Sequence, residues 1–377
     1  MSSISPLDGR YKKETQELND YFSEQALMRF RLYVEIKYLI FLSETASLKK
    51  RVSVSTKNKK ALTDIYKNFG QKEYNAIKRI ESKTKHDVNA VVEYLSEKVE
   101  NISEDLVPWV HFGLTSEDIN NVAYSLMIRG AIEGPVFNSL SIVSSSLKKT
   151  VAKTKALSML SLTHGQPATT TTLGKELAVF HSRLERQTQQ IKKVRLLAKF
   201  SGATGTFAAH KVAFPKENWL GFSKKFMSSL GLESNPITTQ IESNDALAEL
   251  LHTIIRINNI LTDMSVDMWL YIERNIFIQK NKSGEVGSST MPHKINPIFF
   301  ENAEGNLEIA NTNLGFLSTR LCRSRLQRDL SGSTLFRNIG TALGHSVLSY
   351  KNINRGLQRI KPNKSQLNVE LENNWSI

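Results

Sequence analysis

The chain has 377 residues, and 50 Lys and Arg against 36 Asp and Glu give it a formal net charge of +14. Its one cysteine, Cys322, excludes an internal disulfide, and no run approaches the roughly 18 apolar residues of a membrane span. The lysines fall in short groups such as Lys57–Lys60 and Lys148–Lys155, without interleaved aromatics or zinc-ligand spacing. They read as solvated helix faces and a field that favours anions rather than as a nucleic-acid surface.

The opening MSSISPLDGRYKKE lacks the apolar stretch of a signal peptide, so a soluble, cytoplasmic protein is expected. Helical patches follow at Glu24–Leu42, Asn58–Lys78 and Val88–Val99, separated by polar turns. Val52–Val54 is the only strand candidate. Long amphipathic helices are predicted from Leu173 to Leu197, from Leu247 to Ile276 and from Leu335 to Leu357, each with apolar residues at steps of three and four. The second would extend about 45 Å at roughly 1.5 Å per residue, too long to cover its apolar stripe within one small domain. Part of each stripe is therefore expected to meet another subunit. The pattern predicts an all-α protein with an N-terminal helical domain (1–113), a central bundle of long helices (114–360) and a short segment after the break at Lys361-Pro362-Asn363 (361–377).

Polar segments between these helices are the places for chemistry. Lys85-His86-Asp87 precedes a helix that Asp87 is expected to cap. His111-Phe112-Gly113-Leu114-Thr115-Ser116-Glu117-Asp118 contains a capping box, Thr115 to Asp118, whose helix start suits a carboxylate or phosphate. Thr163-His164-Gly165-Gln166-Pro167-Ala168 holds a histidine between a permissive glycine and a stiffening proline, suited to proton transfer. Gly284–Pro297, reading GEVGSSTMPHKINP, combines two glycines with Ser288, Ser289, His293, Lys294 and Asn296. It lacks both the phosphate-loop and the serine-hydrolase patterns. It reads as a moving catalytic loop for acid–base work on an anionic substrate. Arg323 to Asp329, with Arg337 beyond, supplies guanidinium forks for carboxylates or phosphates. An ordinary cap or exposed basic turn is the competing reading of several of these segments taken singly.

Taken together, TSED at 115–118, THGQPAT at 163–169 and GSSTMPHKINP at 287–297, in that order, resemble the three-region signature of the fumarase/aspartase superfamily of lyases. Within it the adenylosuccinate lyases are most similar, on the histidine of Pro292-His293-Lys294, Ser5–Tyr11, Thr238–Glu242 and Gln327–Leu330. The resemblance implies anti β-elimination of fumarate from succinylated purine-pathway nucleotides, by a homotetramer whose active sites are shared between subunits, with no cofactor or metal. By it, His164 protonates the leaving nitrogen, Lys294 stabilises the carbanion, and Ser288 takes the proton. The residues alone would favour a histidine as that base. The resemblance also implies substrate contacts for Arg10, Tyr11, Lys85, His86, Asp87, His111, Thr115, Ser116, Gln240, Ser289, Asn296, Arg328, Ser333 and Arg337.

Three departures stand out. Lys85 replaces an asparagine. Leu330-Ser331-Gly332-Ser333 replaces Leu-Thr-Asp-Ser, an exchange expected to loosen that turn. The chain stops at Asn374-Trp375-Ser376-Ile377, from which most of a C-terminal domain is expected to be missing. Another eliminase of the superfamily and a non-catalytic nucleotide binder remain the alternative readings.

Overall fold

The computed structural model describes residues 3–280 and 295–374. Its principal helices are α1 (Glu24–Glu44), α2 (Thr56–Lys67), α3 (Gln71–Thr84), α4 (Asp87–Glu100), α5 (Ser116–Ala131), α6 (Phe137–Thr154), α7 (Leu173–Ile191), α8 (Asp245–Glu273), α9 (Ile298–Arg320), α10 (Ile339–Gln358) and α11 (Lys364–Glu372). The all-α expectation holds, with short strands appended.

Helices α6 to α10 close into a five-membered ring: α6 packs on α7, α7 on α8, α8 on α9, α9 on α10, and α10 back on α6. Its core is a continuous stripe from each member, including Leu177 and Leu184 of α7, Leu251 and Leu261 of α8, and Leu307 and Leu314 of α9. Buried polar contacts set the register. Tyr350 of α10 donates to Asn258 of α8 at 2.6 Å, and His345 Nδ1 lies 2.8 Å from Asn306 Oδ1 of α9.

Helix α1 is apolar on two sides. Val34, Tyr38 and Leu42 join the main core, while Met28, Leu32, Ile36 and Leu39 pack with Leu62, Ile77, Val91 and Leu95 in a second, N-terminal core. Two helices replace the single Asn58–Lys78 patch. Asn68-Phe69-Gly70 interrupts it, and Glu73 turns back to accept from the Gly70 amide at 3.0 Å at the start of α3. The Leu335–Leu357 helix is likewise interrupted at Arg337-Asn338, and the helix from Leu173 ends at Ile191. Val52–Val54 is not a strand; Val52 is buried in the N-terminal core.

The strands lie elsewhere. β1 (Ser158–Thr163) and β2 (Gln166–Thr172) form a hairpin between α6 and α7, and β3 (Phe277–Gln279) pairs antiparallel with β4 (Ile360–Pro362). The ring is antiparallel at four junctions. Ser144 of α6 donates to Glu185 of α7; Gln187 of α7 meets Arg256 of α8; Trp269 of α8 reaches Glu301 of α9; Ala303 of α9 accepts from Ser349 of α10. Helix α10 returns parallel to α6, where Ser146 donates to Asn354. The β1–β2 hairpin, β3–β4 and the start of α9 thus gather at one end. The Leu321–Asn338 connection lies at the other. The 23 residues of α9 separate the two ends by about 35 Å.

Candidate active site

A cavity of about 420 Å³ opens at the second end, lined by Arg31, Lys85, His86, Asp87, Ser116, Glu117, Asn120, Tyr124, Arg328, Ser333 and Arg337 among others. Four cations therefore face two carboxylates. Asp87 Oδ2 accepts from Arg31 Nη2 at 2.8 Å and from Arg337 Nη2 at 2.9 Å, so it ties α1 to the turn before α10. Burial alone would raise the Asp87 pKa; the charge and hydrogen bond of Arg31, with Arg337 behind, bring it below the ordinary range. Burial raises that of Glu117 despite Arg328 and Lys199 nearby. Such a cavity suits a phosphate or carboxylate, which would compete with Asp87 for Arg337.

Besides Arg31 of α1, the lining comes from three chain segments. His86, not Asp87, caps α4: its Nδ1 accepts from the Asn89 amide at 3.1 Å, which frees Asp87 for its arginines. Lys85 closes α3 in the left-handed region, at φ 56°, a conformation that asparagine tolerates better. Ser116 opens α5, where Asp118 Oδ2 accepts from the Thr115 amide at 2.9 Å, the carboxylate arm of the expected capping box. The third segment is held rather than loosened: Asp329 Oδ1 accepts from the Ser331 amide at 2.8 Å, and Arg320 donates to Ser331 Oγ at 2.7 Å.

Beneath Thr115 and Ser116 lies an ion pair with no exposed side-chain surface, Lys199 Nζ to Asp118 Oδ1 at 2.7 Å. Asp118 also accepts from the amides of Ser201 and Gly202, and Lys199 donates to the Gly202 carbonyl at 2.6 Å. That network fixes the start of α5 against the 199–205 loop. Gly205 there has φ 76° and packs so tightly on the carbonyls of Thr238 and Thr239 that a side chain would overlap them. Gln240 follows, donating to Ala203 O at 2.9 Å and accepting from Arg328 at 2.9 Å.

The candidate residues thus divide. Lys85, His86, Asp87, Ser116, Arg328, Ser333 and Arg337 line one cavity; Gln240 joins them through Arg328, Thr115 caps its helix, and His111 sits in the turn just before. His164 is exposed at the tip of the β1–β2 hairpin, at the opposite end of the ring. Asn296 precedes α9 at that same end, and the Tyr11 hydroxyl accepts from Asn302 in the early turns of α9 at 3.2 Å, with Arg10 above the Tyr11 ring. Ser288, Ser289 and Lys294 lie outside the described residues. Arg31, Glu117, Asn120 and Lys199 were not anticipated. Arg31 carries a usable signal, a charge within the apolar run of Glu24–Leu42.

Comparison with known proteins settles the family. A lyase family model matches residues 9–309, and the model of the adenylosuccinate lyase C-terminal region matches 324–377. The chain belongs to the adenylosuccinate lyase family. The adenylosuccinate lyases of Legionella pneumophila (strain Corby), Dictyostelium discoideum and Escherichia coli (strain K12) are 44%, 46% and 41% identical to it; each match covers all of this chain and 83% of the relative. The C-terminal match corrects the expectation that most of that domain is missing: the family's C-terminal region is present from residue 324. A crystal structure of fumarate lyase from Mesorhizobium sp. BNC1 shares the fold, with TM-score 0.78 at 17% identity over 95% of this chain and 78% of that one. The 3-carboxy-cis,cis-muconate lactonizing enzyme of Pseudomonas putida does so at TM-score 0.76 and 18% identity, over 95% and 77%.

Proposed function

We propose that this adenylosuccinate lyase family member eliminates fumarate from adenylosuccinate, giving AMP, and from the succinyl-carboxamide ribotide SAICAR, giving AICAR. The observation that carries this reading is the cationic cavity of Arg31, Lys85, Arg328 and Arg337 beside the start of α5, formed by the segments that mark the family. Removing a weakly acidic proton next to a carboxylate generates a dianionic carbanion, which needs positive charge close by. In this reading Ser288 takes the proton, Lys294 stabilises the carbanion and His164 protonates the departing nitrogen. The cavity residues hold the substrate's anionic groups. Adenylosuccinate supplied to the purified protein should be converted with the absorbance change of AMP formation and one fumarate per turnover. A folded, assembled protein that releases none, or that releases fumarate only from a different adduct, overturns the reading.

His164 and the cavity lie about 35 Å apart in one chain, by the length of α9. One chain cannot bring them to one substrate, which supports the homotetramer with sites shared between subunits. The ring also leaves apolar side chains uncovered: Val266, Trp269 and Leu270 on α8, with Ile298, Ile309 and Phe316 on α9. A Cβ at Gly305, one turn before Ile309, would meet nothing within 4 Å among the described residues, which leaves room for the backbone of a neighbour to approach. Replacing Phe316 with glutamate, or Gly305 with arginine, should convert tetramers into smaller species in sedimentation velocity and lower activity in step. Unchanged tetramers in both variants would place the interface elsewhere.

A further inference from the structure

Helix α1 carries three polar side chains one turn apart on one face, each almost wholly buried: Arg31 is 2% exposed, Glu35 1% and Tyr38 0%. Each grips a segment that leads into the cavity. Arg31 binds Asp87 and also donates through Nε to Asn120 Oδ1 at 2.9 Å. Glu35 Oε1 lies 2.6 Å from His111 Nδ1, and the Tyr38 hydroxyl donates to the Phe112 carbonyl at 2.8 Å. His111 is in the left-handed region at φ 56°, followed by Gly113 at φ 69°, where a Cβ would stand 2.8 Å from the His210 ring. A histidine held at its own ring, at the next carbonyl and by a crowded glycine has one orientation.

We propose that Glu35 is a positioning residue: it holds His111 by Nδ1–H and leaves Nε2 as the nitrogen that donates to an anionic group of the substrate. The inference rests on the lyase reading above. Glu35 has no hydrogen-bond partner for Oε2 among the described residues, so a buried carboxylate is compensated chiefly by His111. Two negative groups face that ring from two helices, Glu35 on α1 and Asp118 on α5. Burial pulls the His111 pKa down, but the charge and hydrogen bond of Glu35, with Asp118 adding to them, hold it above the ordinary histidine value. The proton is therefore retained to higher pH than on a free imidazole, and binding that needs it is lost as pH rises through the folded pKa.

Titrating the ligand-free enzyme labelled with ¹³C at histidine Cε1, with His111→Gln to assign the resonance, tests this directly. Glu35→Gln should lower the His111 midpoint by about one pH unit or more. The alkaline limb of kcat/KM for adenylosuccinate should move the same way, and KM should rise roughly tenfold with kcat changed far less. Glu35→Asp should recover part of each effect, and Glu35→Gln should add nothing in the His111→Gln background. An unmoved midpoint in folded Glu35→Gln overturns the proposal. So does additivity in the double variant, and, if Glu35→Gln fails to fold, a His111 midpoint in Glu35→Asp equal to that of the unaltered enzyme does the same. The titration needs no substrate, so it remains decisive if adenylosuccinate is not turned over. Turnover by the unaltered enzyme separates failure of this inference from failure of the lyase reading.

Discussion

His164→Ala is expected to lower kcat for fumarate release by about 10³-fold, within the range for losing a general acid, while the circular dichroism spectrum stays that of the intact fold. His164 is exposed at a hairpin tip and supports no core, so its removal should cost little stability. Near-normal turnover by the variant would remove it from the chemistry. Arg328→Ala should also be severely impaired, through loss of a cavity cation. Equal amounts of the two variants, unfolded and reassembled together, should regain activity. If a site takes His164 from one chain and Arg328 from another, roughly a quarter of the sites in random mixed tetramers carry neither substitution. Confirmed mixed tetramers that remain as inactive as their parents would show that sites are not shared in this way.

Lys199→Met should be the most destabilising single change of those considered. It leaves the Asp118 carboxylate fully buried with backbone donors but no cation in contact, an arrangement expected to cost about 3–5 kcal/mol. The urea midpoint at fixed protein concentration should fall accordingly. Because Asp118 links the Thr115, Ser201 and Gly202 amides, KM should rise as well. Combining Lys199→Met with Asp118→Asn should cost less than the sum of the two single changes, because neither charge is then left alone. A loss below about 1 kcal/mol in Lys199→Met would mean that water or another group replaces the lysine.

The scaffold was legible where periodicity was clean. The apolar steps placed α8 within three residues at each end and found the start of α7 but not its end, and the capping box at Thr115 located the start of α5. Helix α9 escaped notice although Phe300, Ala303, Leu307, Ala310, Leu314 and Leu317 repeat along it, because glycines and asparagines share its length. The β1–β2 hairpin was missed for a different reason. Thr169 to Thr172 form a β-branched run, but without apolar alternation it does not mark itself as a strand. His164-Gly165, at φ 55° and 74°, is the two-residue turn that a right-twisted hairpin favours, so the segment singled out for its histidine also had a structural purpose. The cavity was legible only as separate motifs. Arg31 completes it and Lys199 braces it from beneath, both from positions distant in sequence, and their burial depends on tertiary packing that local pattern does not reveal. The histidine before Asp87 also took the cap assigned to the aspartate, which only the three-dimensional setting of two arginines explains.

The antiparallel ring that sends His164 and the cavity to opposite ends has a consequence for how output scales with abundance. Where sites are shared as proposed, a chain that borrows half of its machinery from neighbours contributes nothing alone, so below the assembly constant the rate should fall more steeply than the amount of protein, by mass action. Dilution should then act as an off switch, and a modest rise in expression near that threshold should return a disproportionate gain in flux.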